Sequence, residues 1–567
     1  MKKIFGIDLG TTYSSIAYVD EFGKPVIIPN MEGQTVTPSV VFFDGNDIVV
    51  GDVAKESAKL YPDEVVSFIK RSMGEPNYLY EHNSKTYRAE EISSYIIKKV
   101  IQDAEHHLAD KITDVVITCP AYFGINEREA TKLAGEIAGY KVHQILNEPT
   151  AAAIAYGAVE PDKEKVVLVY DLGGGTFDIT MIHIQPESIE VICTGGDHNL
   201  GGKDWDDRIV TYLVQEYQNQ TGSQEDILED PDTWQDLQLS SEKAKKMLTQ
   251  RDKVPVYVTY SGERIKVDLT REKFEEITQD LLERTITFTH NMLQEADKKG
   301  YDHFDEIVFV GGSTRMPQVK KRIVEEFKVD PRVFEPDEAV SKGAAIYGWK
   351  LAINDALIQR IAAKKQKTYE AIQELIEQTD AVDISKVVEL SESDMKAIQN
   401  ELAEEINYTL SAAPIHMKKA TTPVKVRDVS SKSFGVVVKK PNQEEIVYNL
   451  ILRNTTLPVD TSKTFYTGVA NQETVLIRIM ENESSALTIP TEVSIEIGTA
   501  ILDLPNGLPS DLPIEINFKL NREGRLSISA VETKENRSVI VNIQTTSVIQ
   551  GKDLEDAKER VRDLFIR

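Results

Sequence analysis

The 567 residues are 41% hydrophobic and 28% charged, the balance of a soluble globular chain long enough for several cored domains, which excludes intrinsic disorder. A net charge of −27 repels nucleic acid and anionic membranes, so neither is expected as a partner. Cys119 and Cys193 are the only cysteines, which leaves no disulfide framework or zinc cluster; with no apolar run of membrane-spanning length and no signal sequence after Lys2 and Lys3, the cytoplasm is expected.

The chain opens on Ile4-Phe-Gly-Ile-Asp8-Leu-Gly10-Thr11-Thr12-Tyr13, an apolar strand ending at a carboxylate and a hydroxyl-bearing turn. The same grammar returns at Val166 to Met181, where a β-branched run reaches Asp171, turns through Gly173, Gly174 and Gly175, and resumes at Phe177. Such a hairpin brings bare backbone N–H groups to an anion, and the carboxylate beside them can hold a cation directly or through water. One copy could equally be an ordinary glycine-rich hairpin. Two copies predict a duplicated α/β unit whose hairpins face each other across a cleft and grip phosphates from both sides. No Gly-x-x-x-x-Gly-Lys-Ser/Thr run is present, so this is not a P-loop.

Between the two copies a buried strand from Asp114 ends at Pro120, a helix carries Arg128, and Ile145-Leu-Asn-Glu148-Pro149 starts another helix. Glu148 before Pro149 sits at that helix's positive end, a place an acid also occupies for stability alone. Beyond the second copy come a glycine-rich corner at Gly201 and Gly202, a charged helix with Glu242, Lys245 and Lys246, and a strand-to-glycine turn at Gly311 and Gly312. That turn leaves room for a flat ligand on which Arg315 could stack. Asp337 and the small-residue helix Ala339 to Tyr347 close this part.

From Leu351 to Ala413 the pattern is helical and acidic: Tyr369, Ile372, Leu375 and Ile376, then Met395, Ile398, Leu402 and Ile406, with Ser391 and Asp394 forming a capped start. Pro414 and Pro423 bracket a linker. Short alternating strands follow (Ser433 to Val438, Glu445 to Leu452, Thr464 to Val469, Glu473 to Ile479, Glu492 to Ile497, Ile514 to Leu520, Arg525 to Val531 and Ser538 to Ile543), which predicts an antiparallel β-sandwich. An amphipathic stretch, Lys552 to Phe565, comes last.

Asp8-Leu-Gly-Thr-Thr, Asn147-Glu-Pro-Thr-Ala-Ala-Ala, Asp171-Leu-Gly-Gly-Gly-Thr-Phe-Asp and Val310-Gly-Gly-Ser-Thr-Arg-Met-Pro together resemble the DnaK-type (heat shock protein 70) chaperones, densely over the first 350 residues and more loosely from 424 to 545. The resemblance implies an actin-like, two-lobed ATPase over residues 1–350, a helical insert over 351–413, a linker over 414–432, a peptide-binding β-sandwich over 433–545 and a short helical tail, a lid remnant, over 546–567. It implies ATP or ADP with Mg2+ as ligands, and phosphoryl transfer to water achieved by positioning and charge neutralisation. Thr11, Thr12 and Gly173 to Thr176 would cradle phosphates, Asp8 and Asp171 would hold magnesium through its waters, Lys70 would meet the γ-phosphate, and Glu148 and Thr176 would position the attacking water. Gly10, Tyr13, Gly201, Gly202, Glu242, Lys245, Lys246, Thr249, Gly311, Gly312, Ser313, Arg315 and Asp337 match the family's nucleotide pocket. Val436, Val438, Phe465, Val475 and Ile477 match its peptide pocket, although each could also be sandwich core. Pro120, Arg128 and Asp428 match residues that couple the two domains.

The implied activity is an ATP-dependent stress chaperone, a monomer acting on unfolded or extended polypeptides with a J-domain co-chaperone and a nucleotide exchange factor. Three departures bear on it. Most of the helical lid is missing, which predicts fast peptide release. The family's leucine-rich linker reads Val424-Lys-Val-Arg-Asp-Val-Ser-Ser, keeping Asp428 but few apolar residues. Gln144 replaces a basic residue of the co-chaperone site, and Lys439 an apolar residue that arches over bound peptide. A nucleotide-gated binding module for one dedicated protein partner is therefore the competing expectation.

Overall fold

The computed structural model describes residues 2–159, 163–185, 188–377, 387–407, 425–504, 508–522, 524–532, 537–542 and 548–567. Two six-stranded sheets built on one plan organise the first part. In the first, Phe5–Asp8 pairs antiparallel with Tyr13–Val19 and parallel with Asp114–Cys119, which in turn pairs parallel with Lys141–Asn147. In the second, Lys165–Leu172 pairs antiparallel with Phe177–Gln185 and parallel with Glu306–Val310. Asp8 and Asp171 thus stand at matching places, each in the last two residues of a central strand beside its hairpin partner and its parallel neighbour.

The central strands are buried on both faces, the reason their sequences read as unbroken apolar runs rather than alternations. Helices Glu148–Val159 and Ala339–Lys365 fill the space between the sheets, where Ile4 and Val116 of the first share a core with Val167, Val169 and Val308 of the second. Close packing there needs glycine: a Cβ at Gly6 would fall 2.1 Å from the Ala345 backbone nitrogen. The helix Ala339–Lys365 runs through residue 350 without a break, so the expected ATPase region and helical segment share it.

Helices Tyr369–Glu377 and Glu392–Asn407 pack on the far half of that shared helix. Ile372, Met395, Ile398 and Leu402 join Ile353, Leu357 and Ile361 in one apolar cluster. The expected cap is present: the Asp394 amide donates to Ser391 Oγ at 3.1 Å. The Ile406 side chain and both linker prolines, Pro414 and Pro423, lie outside the described residues. The first described stretch after them, Lys425–Arg427, is a strand that adds parallel to Ser188–Asp197 at the edge of the second sheet.

Among the described residues the sandwich comprises a five-stranded and a four-stranded antiparallel sheet. Two expected strands are displaced. The one expected at Thr464 to Val469 occupies Val459–Tyr466, since its pairing with Pro513–Leu520 selects the register and its mostly exposed, polar first half hides it from a hydrophobicity reading. The one expected at Glu492 to Ile497 becomes Ile495–Asp503, because Thr491–Val493 forms a 3-10 turn first.

The helix Gly551–Arg562 does not lie on the sandwich core; Ile549, Ala557, Val561 and Ile566 are buried in the core beneath the first sheet. Buried polar groups of the helix Ala89–Leu108 receive it. Glu90 accepts from the Ile549 amide at 2.8 Å, Glu91 binds Arg560 through both carboxylate oxygens at 2.7 and 2.8 Å, and Lys98 donates to the Arg562 carbonyl at 2.8 Å. Arg567 extends the pairing by accepting from Val50 N at 2.9 Å and donating to Ile48 O at 3.0 Å.

Candidate nucleotide site and interdomain contacts

The two hairpins meet. A Cβ at Gly174 would fall 2.0 Å from Thr12 Oγ1, and one at Gly175 would fall 2.4 Å from Thr11 Cγ2, so the tips touch across a cleft that only glycine permits. Beneath them Lys70 Nζ reaches Glu148 at 2.5 Å, both side chains buried. Asp8 accepts from Thr118 Oγ1 at 3.1 Å. Burial, then the nearby Glu148, pushes the Asp8 carboxyl up to about 7 against the pull of Lys70. Burial, with Glu148 and Asp8, also raises Asp171 well above the usual carboxylate range. Asp178, which sequence reasoning quoted but assigned no role, joins them: Oδ1 accepts from Ala121 N at 3.1 Å, and buried Oδ2 has no partner among the described residues. Several buried carboxyl groups thus gather around one ammonium, a charge set suited to a divalent cation.

Other residues of the expected nucleotide pocket have partners within the protein. Lys245 is engaged internally, donating to Asp206 at 2.7 Å and Gly202 O at 2.6 Å, and so fixes the start of helix Gly202–Thr221. Ser313 Oγ donates to Gly173 O at 2.8 Å, and a Cβ at Gly311 would fall 2.5 Å from Asp171 Oδ1. Arg315 is held by Asp337, and Thr249 closes its own helix by donating to Lys246 O at 2.7 Å. Tyr13, Glu242 and Lys246 come together with Lys55, a residue that sequence reasoning missed because its partners lie far along the chain. Lys55 reaches Glu242 at 2.5 Å and Tyr13 Oη at 3.0 Å, and Lys246 reaches Tyr13 Oη at 2.8 Å. Although burial pushes the Glu242 carboxyl up, Lys55 and Lys246 hold it down to about 2.

The chain matches the family model of the Hsp70 protein over residues 4–357 and 409–563. The chaperone protein DnaK of Thermosipho africanus (strain TCF52B) is 35% identical over 568 residues, covering 98% of this chain and 83% of that one. That of Halobacterium salinarum (strain ATCC 29341 / DSM 671 / R1) is 34% identical over 565 residues, covering 98% and 77%. The chain belongs to the Hsp70 family.

In this Hsp70 the sandwich and the residues just before it contact the helix Ile125–Ile137 and a strand of each large sheet. Asn147, the residue before Glu148, donates to Asp428 at 2.6 Å while its own oxygen accepts from Arg128, so two of the three expected coupling residues meet next to Glu148. Arg128 also donates to Phe123 O at 3.0 Å and Ala121 O at 3.3 Å, which ties in the turn after Pro120. Ser431 donates to Phe123 O at 2.9 Å. Further contacts were not foreseen. Glu481 accepts from Ile125 N at 3.1 Å at the start of a helix, and Asn454 accepts from Thr194 N at 3.0 Å. A glutamate in a strand has no mark that would distinguish it, whereas Asn454, at a φ of 63°, occupies a turn that asparagine tolerates well.

Of the five expected peptide-contact residues, Val436 and Ile477 are sandwich core, and Val438, Phe465 and Val475 are half-buried at its margin. Phe465 packs edge-on against Tyr448, with ring centroids 5.7 Å apart. Lys439 is exposed and 3.8 Å from Glu445.

Proposed function

We propose that this Hsp70 is an ATP-dependent chaperone that hydrolyses ATP between two actin-like lobes, residues 1–350, and thereby controls the binding of extended apolar polypeptide segments by the sandwich, residues 433–545. The observation that carries the ATP reading is the contact of the Thr11–Thr12 and Gly174–Gly175 tips over the buried Lys70–Glu148 pair. Asp8 and Asp171 would hold magnesium through its waters, and bound there it would neutralise phosphate charge. Lys70 would pass its ammonium from Glu148 to the γ-phosphate, freeing the Glu148 carboxylate to orient water with Thr176. In this reading Tyr13, Lys55, Glu242 and Lys246 enclose the nucleoside end of the cleft.

Val438, Phe465 and Val475 are the residues able to touch a bound peptide, since Val436 and Ile477 are committed to the core. Asp428 and Arg128 grip the residue next to Glu148, which gives peptide binding a route to hydrolysis. A J-domain co-chaperone, a nucleotide exchange factor and a cytoplasmic location complete the proposal. Family membership does not favour the dedicated-partner reading.

The test is ATP turnover in the native protein and in Asp171→Asn and Thr176→Ala. Losing an electrostatic or positioning group is expected to cost about 10²- to 10³-fold in each variant. Equal rates in all three refute the site.

A further inference from the structure

We propose that Arg71 is a positioning residue for hydrolysis, acting across the cleft through the Gly175–Thr176 peptide; this rests on the ATP reading of the site. A trans peptide is planar, with its C=O and N–H antiparallel, so anchoring a carbonyl fixes the orientation of the whole unit. The hairpin tip has three carbonyls to anchor. Gly173 O accepts from Gly202 N at 3.0 Å and from Ser313 Oγ at 2.8 Å, and Gly174 O accepts from Lys203 N at 2.8 Å. These anchors come from the hairpin's own side of the cleft.

The third does not. Gly175 O accepts from Arg71 Nη2 at 2.7 Å and Nε at 3.1 Å, and Arg71 lies on the 3-10 turn Ile69–Ser72, whose Ile69 is buried beneath the first sheet. The unit so anchored leads into Thr176. The backbone that carries the Thr176 hydroxyl is therefore set correctly only while the two sides of the cleft are together.

The guanidinium is itself aimed. Its Nη2 reaches Asp204 Oδ2 at 2.6 Å, and the same oxygen accepts from Gly201 N at 2.7 Å, tying the fork to the start of helix Gly202–Thr221. A planar fork can serve one carbonyl through two N–H groups and a carboxylate at once; an ammonium cannot reproduce that geometry. Arg71 also shares its turn with Lys70, so one short segment delivers both the ammonium facing Glu148 and the anchor of the opposing hairpin. Closure of the cleft and assembly of the hydrolytic geometry are then a single event.

The test uses the full chain with ATP and compares native protein with Arg71→Ala and Arg71→Lys by single-turnover hydrolysis, ADP affinity and added guanidinium. Arg71→Ala is expected to hydrolyse about 10- to 100-fold more slowly, the range for losing a charge-assisted hydrogen bond, while ADP affinity changes by less than about threefold. Free guanidinium should restore part of the alanine variant's rate and leave the native rate unchanged, whereas a merely stabilising ion pair would lower the melting temperature without such rescue. Arg71→Lys keeps the charge and the stem, covers the case in which the alanine variant does not fold, and should remain at least about fivefold slow. A native protein that turns over ATP beside an Arg71→Ala variant within twofold of it overturns this assignment alone. So does a slow variant that loses ADP affinity in proportion and ignores guanidinium. Absence of turnover in the native protein overturns the ATP reading, and this assignment with it.

Discussion

Glu481→Gln should tighten the seating of the sandwich at neutral pH. The Glu481 carboxylate accepts from Ile125 N and is buried between the sandwich and the helix Ile125–Ile137. Burial first and Glu127 second push it up to about 7, against Lys432, the Ile125 amide and Arg128, which pull it down. Detached and solvated, the same carboxyl would titrate at its ordinary 4.5. The seated state therefore binds the proton more tightly: seating is strongest below pH 4.5, weakens as pH rises toward 7 and is level above that. The full difference corresponds to about 3 kcal/mol. Glutamine keeps an oxygen for the Ile125 amide and removes the charge, so it should recover up to about 3 kcal/mol at pH 8 and remove Glu481's share of the pH dependence. Hydrogen exchange measures this at Thr194, whose amide donates to Asn454 and does not touch Glu481. Protection at Thr194 should rise in the variant at pH 8 and vary less between pH 5 and 8 than in the native protein. Unchanged or lower protection at pH 8 would refute the reasoning.

Ile566→Ala should destabilise the first-sheet region by about 2–5 kcal/mol, because Ile566 is buried in the core there and truncation leaves a cavity; a melting-temperature decrease checks this, and a loss confined to the sandwich would contradict it. Phe465→Ala, at the sandwich margin, should weaken binding of an apolar peptide by about tenfold, while Val436→Ala, in the core, should lower the sandwich's stability by about 1–3 kcal/mol instead. Fluorescence anisotropy and thermal unfolding separate the two effects, and a Phe465→Ala variant with native peptide affinity removes Phe465 from the site.

What could be read in advance depended on where the chemistry lies along the chain. Asp8 with Thr11 and Thr12, and Asp171 with Gly173 to Thr176, are contiguous motifs, so their pairing into a duplicated plan was legible. Glu148 stood out only through the family resemblance, because an acid before Pro149 also serves a helix start for stability alone. Lys55, Arg71, Asp204 and Glu481 were not legible, because each acquires meaning only from a distant partner: 133 residues separate Arg71 from Asp204 and 356 separate Ile125 from Glu481. The polar strand Val459–Tyr466 was displaced for the same reason, its register being written in Pro513–Leu520. The helical segment's packing was visible in the spacing of Met395, Ile398 and Leu402, although the Hsp70 match skips residues 358–408.

The union of Val561 and Ile566 with the core of Phe5 and Ile7 has a consequence for synthesis. Lys98 precedes its partner Val561 by 463 residues, roughly 20–90 s of translation at about 5–20 residues per second. Throughout that interval the second sheet and the sandwich can be completed, while Glu90, Glu91 and Lys98 wait beside an apolar gap. A protein proposed to shelter unfinished chains is thus itself unfinished until Ile566 emerges, and its first-made sheet is among the last regions to close.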